Sequence, residues 1–79
     1  MPQFKIMNKT TEFSLAGRPY VELNNLFKIM GLAASGGEAK AMISGGRVKV
    51  AGQVELRKRC KIRAGQVVDL EGLSITVRE

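Results

Sequence analysis

From Leu23 onward the apolar residues of this chain change their spacing once, at Gly45-Gly46: helical intervals before the pair, alternation after it. Leu23, Leu26, Phe27 and Met30 fall at i, i+3, i+4 and i+7, which lines one face of a helix. That spacing predicts a helix over residues 21–30, ended by Gly31 in the left-handed conformation. Ser35, followed three residues later by Glu38, reads as a capping box, in which each side chain accepts from the other residue's backbone amide. A second helix is expected over residues 36–44, with Ala39, Met42 and Ile43 inward. Beyond Gly46, Val48 and Val50 alternate with Arg47 and Lys49, and Val54 and Leu56 with Glu55 and Arg57. Period two is the signature of a half-buried strand. A chain bound to this order is α+β: two N-terminal helices packed on a small antiparallel sheet of four to five strands.

A three-residue turn at Ala51-Gly52-Gln53 pairs Val50 with Val54 and Val48 with Leu56, and turns all four to one side. A two-residue turn sets Val48 opposite Glu55, so the longer turn is preferred. Cys60 and Ile62 continue the inward phase, which predicts a buried Cys60. Ala64-Gly65-Gln66 turns the chain, and Val68 and Leu70, then Leu73, Ile75 and Val77, give two more strands of a meander around Glu71-Gly72. Upstream, Phe4 with Ile6 and Phe13 with Leu15 suggest two short strands, with a turn over residues 8–11. Ala16-Gly17-Arg18-Pro19 breaks the pattern before the first helix. The reading is a single domain over residues 13–79, preceded by an extension, residues 1–12, that is an edge strand or flexible. A chain of 79 residues holds one core and buries only about 60% of the surface its unfolded form exposes.

Charge is concentrated. Residues 40–63 hold Lys40, Arg47, Lys49, Arg57, Lys58, Arg59, Lys61 and Arg63 against one acid, Glu55, so this third of the chain exceeds the net charge of +6. The rest is slightly acidic. A merely solvated surface mixes both signs; a segregated cationic one attracts polyanions. If the strands are regular, Arg47, Lys49, Arg57, Arg59, Lys61 and Arg63 share one outward face. No aromatic residue falls within residues 40–63. Single-strand binders interleave aromatics with cations to stack bases. The pattern therefore favours phosphate-backbone recognition of folded nucleic acid.

Other chemistries lack their parts. There is no His, so the commonest general base and metal ligand is missing, and one Cys forms neither a disulfide nor a thiolate zinc cluster. Asp69, Glu71, Glu22 and Glu55 lie on different predicted elements, with no paired acid and base. Ser35-Gly36-Gly37-Glu38 lacks the Gly-Lys-Ser/Thr ending of a nucleotide phosphate loop, although a helix N-terminus with free amides can hold one backbone phosphate. No enzyme activity, catalytic residue, metal, cofactor or small-molecule substrate is expected. No apolar run reaches membrane-spanning or signal-peptide length, which predicts a cytoplasmic protein with no membrane partner.

The string Ser35-Gly36-Gly37-Glu38-Ala39, followed by Ile43-Ser44-Gly45-Gly46-Arg47-Val48-Lys49-Val50-Ala51-Gly52, resembles the RNA-binding domain named after ribosomal protein S-four. That family carries S-x-x-E-A at a helix start, then I-x-x-G-x-V-x-V-x-G, and every position matches. Residues 55–68 look like its closing strand and glycine turn. The resemblance covers residues 13–77 and is nearest to the small stand-alone bacterial members. It implies a helix–helix–strand alpha-L motif and binding of structured RNA, rRNA- or tRNA-like, with a role in translation and on the ribosome. Ala34, Gly36, Ala41 and Ser44 stand where the family often carries Lys or Arg, which moves the expected anchor toward residues 57–61. The expected phosphate ligands are Lys40, Arg47, Lys49, Arg57, Lys58, Arg59, Lys61 and Arg63, with Ser35 beside them; Arg suits bidentate contacts and Lys acts as a point charge. The competing reading is a protein-interaction adaptor whose cations face an acidic partner. Against it, the sequence shows no large exposed apolar patch.

Overall fold

Two strands precede the helices: the element order is β1 (Lys9–Ser14), β2 (Val21–Glu22), α1 (Leu23–Ile29), α2 (Gly36–Ser44), β3 (Val48–Val50), β4 (Gln53–Val54), β5 (Lys61–Ile62), β6 (Val67–Leu70) and β7 (Leu73–Arg78). This is a computed structural model that describes residues 9–79. The strand suggested by Phe4 and Ile6 lies outside the described residues. The turn expected over residues 8–11 is instead strand from Lys9 onward.

The sheet differs from an antiparallel meander in two ways. Its order is β1-β7-β6-β3-β4, and β1 runs parallel to β7, so the sheet is mixed. Phe13 lies beside Val77 in that pairing, and both are buried. Two apolar strands far apart in the chain thus share one core face, whatever their direction. In addition, β5 leaves this sheet and pairs with β2 in a separate two-stranded ribbon. Alternation continues past Val54 in the sequence, but the chain from Glu55 to Cys60 is not strand.

The β3–β4 turn is also shorter than expected. Val50 pairs with Gln53 and Lys49 with Val54, leaving Ala51 and Gly52 as a two-residue turn. Both have positive φ, 53° and 83°. This is the type I′ geometry, whose twist matches that of the flanking strands. Glu55 then lies opposite Val48 and donates its N–H to the Val48 carbonyl at 3.0 Å. Val54 and Leu56, read as inward, are 53% and 59% exposed. Edge position explains the tolerance: β4 has a neighbour on one side only. The β6–β7 turn repeats the device, with Glu71 and Gly72 both at positive φ.

The helices follow their apolar spacing closely. α1 is shorter than predicted because residues 21–22 are taken by β2, and Gly31 after it has φ 75°. α2 has the predicted bounds. Ser35 Oγ accepts from the Glu38 amide at 3.2 Å, but the Glu38 carboxylate accepts from Ala34 N–H rather than from Ser35. Leu23, Leu26 and Phe27 of α1 and Ala39, Met42 and Ile43 of α2 share one core with Val48, Ile62, Val68 and Ile75. At about 25 cal/mol per Å² of apolar surface, this one cluster is the main source of stability among the described elements.

Candidate nucleic-acid interface

The cations of residues 40–63 do not share one face. Arg47 and Lys49 border and occupy β3, whose Val48 and Val50 point into the core. A row crosses the outer face of the sheet: Thr10, Ser74, Asp69, Lys49 and Val54 stand side by side by register. Lys49 is thus opposite Asp69, whose Oδ1 accepts from Ser74 Oγ at 2.6 Å. Arg47 forms an ion pair with Glu71. Both acids come from the β6–β7 hairpin, so the outer face of the large sheet is charge-balanced.

Arg57 is paired locally. Its Nε and Nη2 meet Glu55 Oε2 and Oε1 at 2.9 and 3.1 Å, in the two-pronged geometry that suits a guanidinium and a carboxylate. The Arg57 amide also donates to Glu55. These hydrogen bonds hold the Glu55 carboxyl down to about 2. The Glu55 side chain is 16% exposed and that of Arg57 is 77% exposed. Cys60 is half-buried against the core, and burial, then the nearby Glu55 carboxylate, push its thiol up. The expectation of a buried Cys60 is met only in part.

Among the described residues, Lys58, Arg59, Lys61 and Arg63 form no ion pair. Their backbone is fixed by α1. Glu22 gives the helix no side-chain cap. Leu23 N–H instead donates to the Cys60 carbonyl and Asn24 N–H to the Lys58 carbonyl, each at 2.9 Å. Two of the orphan amides of the helix start are satisfied in this way, and the cationic loop is held at the head of α1. Val21 pairs with Ile62 and Glu22 with Lys61, extending the anchorage as a ribbon. Val21 and Ile62 are buried. By alternation, Tyr20, Glu22, Lys61 and Arg63 share the opposite, outer side of the ribbon.

Tyr20 is the residue that the sequence reading missed. It lies outside the cationic window, yet the Lys61 ammonium is 5.1 Å and the Arg63 guanidinium carbon 5.6 Å from its ring centroid. Both lie within cation–π range. Only the pairing of β2 with β5 brings this aromatic to the cations. Elsewhere, Lys40 is exposed on α2, and the exposed Ser35 caps that helix, with its hydroxyl proton free to donate. Among the described residues there is no group of three acids or cysteines that could hold a metal ion, and no helix long and apolar enough to cross a membrane.

The family pattern described as the S4 domain matches residues 13–78. YbcJ of Escherichia coli (strain K12) is 54% identical over 65 residues, covering 82% of this chain and 93% of YbcJ. YbcJ of Shigella flexneri matches to the same extent. The solution structure of Escherichia coli YbcJ, described as revealing an alpha-L motif involved in RNA-binding, superposes with a TM-score of 0.67 at 46% identity, covering 100% of this chain and 96% of that one. With a family pattern spanning nearly all the described residues and a curated relative more than half identical, this chain belongs to the S4 domain family.

Proposed function

We propose that this protein is an RNA-binding module that grips the phosphate backbone of structured RNA, double-helical and rRNA- or tRNA-like, and performs no catalysis. Membership of the S4 domain family and likeness to YbcJ support RNA as the ligand. The single observation that carries the backbone reading is the group Lys58, Arg59, Lys61 and Arg63, without ion-pair partners among the described residues and anchored through main-chain bonds to α1 and β2. A fixed cationic ridge loses less conformational entropy on meeting phosphates than one on a free loop. Lys40, Lys49 and the Ser35 hydroxyl add further contacts, while Arg47 and Arg57 join once Glu71 and Glu55 release them. The setting that fits is the cytoplasm, on or near the ribosome.

Binding of a labelled hairpin RNA over a salt series tests this. Four neutralised phosphates give a slope of log K against log salt of roughly −2.8 to −3.6. A flat response overturns the electrostatic mechanism. Exposed Val54 and Leu56, close in the chain to Arg57, favour an adaptor for an acidic protein as the second reading. It gains if an acidic partner stays bound after nuclease treatment while hairpin RNA does not bind.

A further inference from the structure

We infer that Tyr20, with Lys61 and Arg63, forms a subsite for one unpaired nucleobase and its adjoining phosphate. The inference rests on RNA being the ligand and adds a point of selection that backbone contacts lack. Cations on a duplex backbone read no sequence and no local break in pairing. An aromatic ring among them does, because an unstacked base offers a face to stack on and a paired one does not.

Three observations converge. The ring is half-buried and belongs to the residue directly before β2, so the pairing of Val21 with Ile62 sets its place. Lys61 and Arg63 lie over the ring from the neighbouring strand, at 5.1 and 5.6 Å. A shallow hollow lies beside the ring, lined by Arg18, Tyr20, Glu22, Asn25 and Ile29. A nucleotide presents a base and a phosphate joined by one sugar. A ring and two cations in contact receive both: the cations turn to the phosphate, and the ring takes the base. Glu22 stands on the same side of the ribbon opposite Lys61 and keeps the phosphate toward Arg63.

The chain carries its own reporter, since Tyr20 is its only tyrosine and there is no tryptophan. Two hairpin RNAs, identical except for one bulged adenosine in the stem, are titrated against the full chain at physiological salt. Affinity is read from the anisotropy of the labelled RNA and stacking from tyrosine fluorescence. The bulged hairpin is expected to bind at least about fivefold more tightly, the low end of the range for base stacking on an aromatic, and to quench Tyr20 more deeply at saturation. Tyr20→Phe keeps the preference. Tyr20→Leu abolishes it, with native folding checked by thermal melting. Equal affinities for the two hairpins, or a preference that survives Tyr20→Leu, overturns the subsite and leaves the backbone reading intact. Failure of both hairpins to bind overturns the RNA reading itself.

Discussion

Arg47 and Glu71, 24 positions apart in the chain, close an ion pair between the start of β3 and the β6–β7 turn. The pair withholds a cation from any polyanion at that end of the sheet. Glu71→Gln removes the acid and releases Arg47 without deleting a basic residue. Hairpin RNA is expected to bind more tightly, with a salt slope steeper by about 0.7–0.9, the value of one further phosphate contact. An unchanged slope shows that Arg47 does not reach the RNA.

Single alanine substitutions should sort the cations. Lys58→Ala, Arg59→Ala, Lys61→Ala and Arg63→Ala each reduce the salt slope by about 0.7–0.9 and weaken hairpin binding. Arg57→Ala should cost less affinity, because Arg57 gives up its bond to Glu55 before it meets a phosphate. Equal losses at all five positions contradict this division.

Acid should weaken the fold through Glu55. Its folded pKa is depressed, so its stabilising contribution is complete above the unfolded value near 4.5 and is lost as pH falls through about 2. Urea midpoints of the wild type and Glu55→Gln, taken from pH 6 to pH 2, should converge across that window. Cys60 supplies a second readout: removing the Glu55 charge lowers its raised pKa, so alkylation of native Glu55→Gln at pH 8 should be faster than that of the wild type.

Ala51 has φ 53° in the type I′ turn, a conformation that Asn adopts at lower cost and Ala resists. Ala51→Asn should raise the urea midpoint by an amount corresponding to up to about 1 kcal/mol. In the opposite direction, Phe27→Ala empties the centre of the core. A loss of about 3–5 kcal/mol is comparable with the whole stability of a chain of this length, about 4–12 kcal/mol. Its urea midpoint at 25 °C should fall by an amount corresponding to that loss.

The parts legible in the sequence are those fixed by neighbours in the chain. Ser35 and Glu38 cap α2, Gly31 follows α1 with positive φ, and Ile62, Val68 and Ile75 are buried as their alternation requires. Apolar spacing does not specify a strand's partner. Nothing near Phe13 indicates that it lies beside Val77, and nothing in the run from Arg57 to Arg63 indicates that its end pairs with Val21 and Glu22. The two-residue turn at Ala51-Gly52 reversed the expected faces of Val54 and Leu56, because a register shift of one residue exchanges the two sides of a strand. For the interface, the list of cations was legible, but their division was not. Asp69 and Glu71 balance Lys49 and Arg47 only after β6 folds beside β3.

The pairing of β1 with β7 also governs when the molecule can become whole during synthesis. Lys9 meets Leu73 and Ser14 meets Arg78, so each contact closes a loop of 64 residues. A nascent chain still holding its last strand inside the ribosomal exit tunnel has α1 and α2 available, but Phe13 lacks Val77 and β6 lacks one of its neighbours. Closure by contacts this distant in sequence is slow compared with helix formation. The sheet is therefore completed only after β7 has left the tunnel, and a chain truncated before Leu73 leaves β6 with an open edge.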